Sequence, residues 1–342
     1  MSKFPLDVLK RCVYPFFYNN DNDVIIGAEF GEGVALTKIG ESVLVSHVDP
    51  IVGAVKDIGW LAVHVACNDI ATSGTRPRWI LTLVLVPNKE DEQLLKEIMK
   101  DIRRAADEIG VSVIGGHSGY SANLSRPLVS VTALGVLSNN QPPILTRGAH
   151  IGDHVFITKG IALEGTAILA TDFKKTAQEL GLSEQEIAQA KNILKEVSIL
   201  TEALIFAECG VTAMHDVTRG GLLETLLEMA ELSSLRIKVD ALKIPISPIV
   251  TTFAQTFQFD PLKMISSGTL VATIPPDQIG KVQRRLTESG ILFADIGNVV
   301  PGQGVAIYRG EQVTEYREIH CEEDELARMW EIYLPDDQKK AF

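Results

Sequence analysis

Strand-like and helix-like stretches alternate along this chain, which restricts it to architectures that pack helices on sheets. In the first half, Val34 to Thr37 and Val43 to Val48 read as strands, the second closed by Asp49-Pro50. Ile58, Leu61, Ala62, Val65, Ala66 and Ile70 mark one face of a helix that Gly74 and Pro77 end. Trp79 to Val86 reads as a buried strand, and Asp91 to Ile109 as an amphipathic helix with Gly110 as its C-cap. Val111 to Ile114 is a strand running into Gly115-Gly116, and Leu128 to Leu137 is another. The turn-rich Ser138 to Pro143 breaks the rhythm and sets a domain boundary near residue 150: one domain over residues 1–150, a second over 151–342. In the second, strands are expected at Asp153–Thr158, Val211–His215, Thr269–Ile274, Ile291–Val299 and Val305–Arg309. Helices are expected at Ser183–Cys209, Leu222–Leu232 and Gln278–Ser289. Periodicity alone leaves α/β and α+β both open.

At 342 residues, each of two domains can bury its own core, and 46% apolar with 22% charged residues is an ordinary globular composition. The formal charge of −12 disfavours nucleic acid as a partner. A small anion stays open, because backbone amides and bound cations neutralise phosphate whatever the net charge. The longest apolar run, Trp79 to Val86, is too short to span a membrane, and the N-terminus lacks a signal-peptide pattern. Four scattered cysteines form neither a disulfide framework nor a zinc pattern, so a cytoplasmic protein is expected.

Four polar clusters sit where elements end. Asp49, before Pro50, is either a cation ligand or a turn residue. Asn68-Asp69, near a helix C-terminus, opposes the helix dipole unless a cation meets it, or is a solvated helix end. Gly115-Gly116-His117-Ser118-Gly119 would let backbone amides cradle a phosphate, or is only a turn. Met214 to Gly221, with Asp216, Thr218, Arg219, Gly220 and Gly221 opening a helix, suits an anion, or Asp216 or Thr218 merely caps the helix. Lys159 before Gly160 is either a phosphate contact or a surface lysine.

Taken in order, these clusters resemble the aminoimidazole ribonucleotide synthetase (PurM-like) superfamily. Its members include selenophosphate synthetase, thiamine-monophosphate kinase and the hydrogenase-maturation carbamoyl dehydratase HypE. The resemblance rests on Asp49-Pro50, on Asn68-Asp69 running to Gly74 and Pro77, on Gly115-Gly116, on Gly152-Asp153, and on Asp216-Val217-Thr218-Arg219-Gly220-Gly221. The last resembles the HypE branch's D-x-T-R-G-G. It implies an α+β, two-domain PurM-like fold, with an N-terminal domain forming a dimeric β-barrel and a C-terminal α/β sandwich domain. It also implies ATP and Mg²⁺ as cofactors, a homodimer, a small-molecule substrate and a protein partner in maturation. By the resemblance, Asp49 and Asp69 hold metal. Asn68, Gly115, Gly116, His117, Thr218, Gly220 and Gly221 bind the cofactor, and Asp216 and Arg219 are catalytic.

The chain departs from the family pattern at three acidic positions, which are Gly33, His117 and Ser267 here; beside Gly33, Glu32 is the one acid that would substitute. Asp336 to Phe342 contain no carrier Cys of the HypE type. The expectation is an ATP-dependent enzyme that activates a small amide- or carboxylate-like substrate. The alternative is a catalytically reduced nucleotide-binding accessory protein.

Overall fold

The computed structural model describes residues 4, 6–17, 21–52, 56–138, 141–318 and 324–333. Two units emerge. The first contains Asn19–Ala28 and Gly33–Pro143; the second contains Ser2–Tyr18, Glu29–Glu32 and Ile144–Phe342. Helix α1 (Leu6–Cys12) thus clusters with the second unit.

The first unit runs β1 (Val24–Ile26), β2 (Ala35–Ile39), β3 (Ser42–Ile51), α2 (Ile58–Thr72), β4 (Pro77–Val86), α3 (Glu92–Ile109), β5 (Ser112–Tyr120) and β6 (Leu128–Ser138). Its sheet has the order β1-β2-β3-β6-β4-β5. Only β4 and β5 run parallel, which the crossover helix α3 makes possible. Every residue of α2 is buried, as its near-continuous apolar sequence requires. It packs on β3 and β6, whose inward residues alternate: Val43, Val45, Val129, Val131 and Ala133 are buried. The sheet is open, with β1 and β5 at its edges.

Two expected turns prove to be strand. Asp49 and Pro50 lie within β3, opposite Val131 and Ser130. Proline is tolerated because β2 reaches only to Ser46, so β3 has a neighbour on one side there. Gly115 and Gly116 lie within β5, opposite Leu81 and Thr82. Gly116 has φ +153°, and a Cβ there would strike the Thr82 backbone, so close strand packing demands glycine at this position.

The second unit runs β7 (His154–Thr158), α4 (Leu163–Asp172), α5 (Lys174–Glu179), α6 (Glu184–Asn192), α7 (Leu200–Cys209), β8 (Ala213–Asp216), α8 (Gly221–Leu232) and β9 (Arg236–Asp240). It continues with α9 (Pro248–Phe257), β10 (Leu270–Ile274), α10 (Ile279–Glu288), β11 (Phe293–Val300), β12 (Gly304–Arg309), β13 (Gln312–Tyr316) and α11 (Glu325–Ile332). The sheet order is β13-β12-β9-β11-β7-β10-β8, antiparallel except for β9 and β12. On one face, Val155, Ile157, Ile237 and Ile296 meet Leu222 and Leu226 of α8. A second core gathers Leu169, Phe253, Phe257 and Met329 from α4, α9 and α11, with Phe173 from the junction of α4 and α5. The expected long helix over Ser183–Cys209 is instead α6, a 3-10 turn and α7. Ser183 starts it with a full capping box to Glu186. No helix among the described residues is long and apolar enough to cross a membrane.

Candidate functional site

In the first unit, the period of two along β3 puts His47 and Asp49 on the face that α2 covers. His47 Nε2 lies 3.3 Å from Asp69 Oδ2 of α2, without hydrogen-bond alignment, and His47 Nδ1 donates to the Gly33 carbonyl. Asp49 follows two residues, or about 7 Å, along the same face. Asp49 and Asp69 therefore lie on one side of one sheet. Asp49, Val131, Thr82 and Gly116 form one row across the sheet. Three strand spacings, about 14 Å, separate its ends, so the glycines are not beside the carboxylates. His117 is exposed on the edge strand β5, and Asn68 is buried next to Asp69. Cys67 is inert here: burial, aided by the Asp69 charge, pushes its thiol up to about 12.

The position where the family carries an acid faces Asp69. A Cβ at Gly33 would run into the Asp69 carboxylate. Glu32 does not substitute, because it belongs to the second unit. There its side chain, 2% exposed, accepts from Arg147 Nε at 2.6 Å and from the Thr146 amide at 3.1 Å. Among the described residues no group of three or more His, Cys, Asp or Glu gathers to hold a metal ion. Two carboxylates on one face do fit Mg²⁺ that arrives with nucleotide phosphates, since that ion usually keeps its waters and takes one or two protein carboxylates.

In the second unit, β8 delivers His215 and Asp216 to the loop ahead of α8. His215 Nδ1 donates to the Asp216 carbonyl at 2.6 Å, and Nε2 meets Glu228 Oε2 of α8 at 3.1 Å. Burial alone would push this imidazole down. The Glu228 hydrogen bond and charge, with the Asp216 charge, outweigh it and raise the pKa to about 9. His215 is a buried imidazolium at neutral pH, between two carboxylates. Asp216 itself is 1% exposed. Arg219 points to Asp324, with Nη1 3.5 Å from Oδ2, and the other oxygen of Asp324 caps α11 through the Leu326 and Ala327 amides. Asp324 is thus a buried cap, 3% exposed; residues 321–323 before it lie outside the described ones.

The α8 N-terminus is already partly satisfied. The Gly221 amide donates to the Thr218 carbonyl, and the Leu223 amide to the Leu262 carbonyl. Gly220 and Gly221 have φ +74° and +67°. A Cβ at Gly221 would sit 2.5 Å from the Leu262 oxygen, so glycine here serves close packing of the chain on itself. Thr218 is half-buried at the loop. Ser267, at the third departed position, is 2% exposed beneath β10. Lys159 is not a free surface lysine. Its Nζ is 2.7 Å from Glu202 Oε1 and donates to the Glu196 and Ser198 carbonyls, all within this unit.

The sequence assigns no role to His47, Glu228 or Asp324, the groups that meet the expected site residues, although His47 stands two residues before Asp49 on the same strand and Asp324 lies in an acidic run.

Comparison with known proteins follows this division of the chain. Residues 31–137 match the N-terminal domain of AIR synthase related proteins, and residues 150–310 match the C-terminal domain. The carbamoyl dehydratase HypE of Bradyrhizobium diazoefficiens is 29% identical over 257 residues, 74% of this chain and 72% of that protein. The selenide, water dikinase of Myxococcus xanthus is 27% identical over 84% of each chain. The crystal structure of the hydrogenase maturation protein HypE in complex with ATP superposes with a TM-score of 0.69 at 20% identity, covering 92% of this chain and 95% of that one. With both domain models matched in order across most of its length, this chain belongs to the AIR synthase-related family.

Proposed function

We propose that this protein is an ATP-dependent enzyme that activates a small amide- or carboxylate-like substrate by phosphorylating its oxygen. The observation that carries the reading is the placement of Asp49 and Asp69 on one face of the first unit, in a chain related to a carbamoyl dehydratase and a selenide, water dikinase. Asp49 and Asp69 would hold Mg²⁺. Bound there with ATP, the ion supplies charge neutralisation for phosphoryl transfer. The protein's own part is positioning. His47, anchored on the Gly33 carbonyl, stands beside the Asp69 carboxylate, and buried His215 donates to the Asp216 carbonyl and holds that residue in place. Asp324 orients the Arg219 guanidinium while leaving it 23% exposed.

The same reading includes a homodimer. The face of the first sheet turned away from α2 exposes Val48, Leu81, Leu83 and Ile114, an apolar stripe that a second copy would bury by completing a barrel. A protein partner in a maturation pathway and a cytoplasmic location belong to it too.

One observation favours a catalytically reduced, nucleotide-binding accessory role: position 33 carries no acid and faces the Asp69 carboxylate, and Glu32 is committed to Arg147. Calorimetry of ATP with and without Mg²⁺ tests both readings. Micromolar binding, about −8 kcal/mol, that needs Mg²⁺ and weakens at least tenfold in Asp69→Ala supports the site. Turnover over candidate amides then separates enzyme from accessory protein. Absence of ATP binding under either condition defeats both.

A further inference from the structure

The sheet of the second unit carries a cavity of about 340 Å³ that has no part in the site above. It opens where β9 ends and the short turn Ala241–Lys243 begins, with β11 and β12 on either side. Lys238, Asp240, Leu242, Lys243, Asn298 and Tyr308 line it, and Gly297 and Gly310 add bare backbone. Asn298 stands opposite Lys238, and Tyr308 opposite Asp240, in register. Four strand spacings, about 19 Å, separate β9 from β8 and Asp216.

The polar side chains here are unspent. Among the described residues, Lys238, Lys243, Asn298 and Tyr308 have no ion pair or side-chain hydrogen bond to another protein group. Asp240 is the exception, its Oδ1 accepting from the Leu242 amide at 3.0 Å. In a chain with a formal charge of −12, two lysines on one cavity without an ion-pair partner mark a place for an anion.

We propose that this cavity binds a small organic phosphomonoester. A phosphate group carries a charge of about −1.5 to −2 near pH 7, which matches two ammonium groups. Lysine meets phosphate as a flexible point charge, whereas the planar carboxylate fork is the speciality of arginine, which this cavity lacks. The Asn298 amide and the Tyr308 hydroxyl supply further donors. Leu242, 80% exposed, offers an apolar wall for the organic body. The volume is of the size usual for small-molecule sites.

The test uses the full chain and three probes: ribose 5-phosphate, O-phosphoserine and pyridoxine 5′-phosphate, with ribose and citrate as controls. At least one phosphomonoester is expected to bind with Kd near or below about 1 mM and to slow amide exchange over residues 236–243 and 296–310. Ribose is expected to leave the protein unchanged. Lys238→Met with Lys243→Met is expected to weaken binding at least tenfold with no fall in Tm, because both side chains are exposed. Tyr308→Phe should weaken it less. Asp69→Ala should bind as wild type does, which separates this site from the proposed ATP site. Failure of all three probes overturns the proposal. So does undiminished binding in the double lysine variant, binding that needs Asp69, or a response to citrate alone.

Discussion

Two histidine–carboxylate pairs, one in each unit, look alike in a contact list and differ in kind. His215 has both ring nitrogens against oxygen acceptors and is held as a cation between Glu228 and Asp216. His47 spends one nitrogen on the Gly33 carbonyl and meets Asp69 at 3.3 Å out of line. The first pair is locked; its carboxylates already have their cation. The second is loosely closed: the His47 ring stands against the Asp69 carboxylate without donating to it.

The largest way to break this contrast is Glu228→Ala. Removing one partner of a buried ion pair should lower unfolding stability by about 3 kcal/mol or more, read by denaturant titration. A loss below about 1 kcal/mol would place His215 on the same footing as His47.

The next effect is on pH. The folded pKa of His215, about 9, stands above its ordinary 6.5. Its stabilisation is thus complete below pH 6.5 and is lost as pH rises through 9. The unfolded state gives up this proton first, so stability falls across that window by at most about 3 kcal/mol. Stability measured from pH 6 to 9.5 in wild type and His215→Gln should show the decline only in wild type.

The smallest effect sharpens the other side. His47→Gln should change stability by under about 1 kcal/mol and leave Mg²⁺-dependent ATP affinity within about threefold. A drop above about 2 kcal/mol would show that the Asp69 contact is locked after all.

Strong periodicity made much of the fold legible. Helices α2 and α3 and strand β4 stand within two residues of their expected ends. The misses have physical causes. In β9, Arg236-Ile237-Lys238-Val239-Asp240 alternates cleanly, but with only two apolar residues it is outweighed by its charges. Strand β13 is almost wholly exposed and carries no apolar signal. The glycines of β5 look like a turn because sequence does not show a neighbouring strand pressing against Gly116. At the candidate site, Asp49, Asp69 and Asp216 could be singled out from residue type, although Asp49 lies within a strand rather than at its end. Their keepers could not be: the partner of Arg219 is Asp324 and that of Glu32 is Arg147, pairings that only the tertiary fold creates.

The segment Glu29–Glu32 has a consequence for how the protein is made. The polypeptide passes back and forth between the units before Gly33, then stays in the first until Pro143. On a ribosome adding about 5–20 residues per second, Glu32 emerges on the order of ten seconds before Arg147. For that interval its carboxylate has no guanidinium to meet. The first unit can assemble early, while the second must wait for its own C-terminal stretch to collect two early pieces of chain. Cutting the gene near codon 144 would leave Arg147 without Glu32, and the downstream fragment would be born lacking that ion pair.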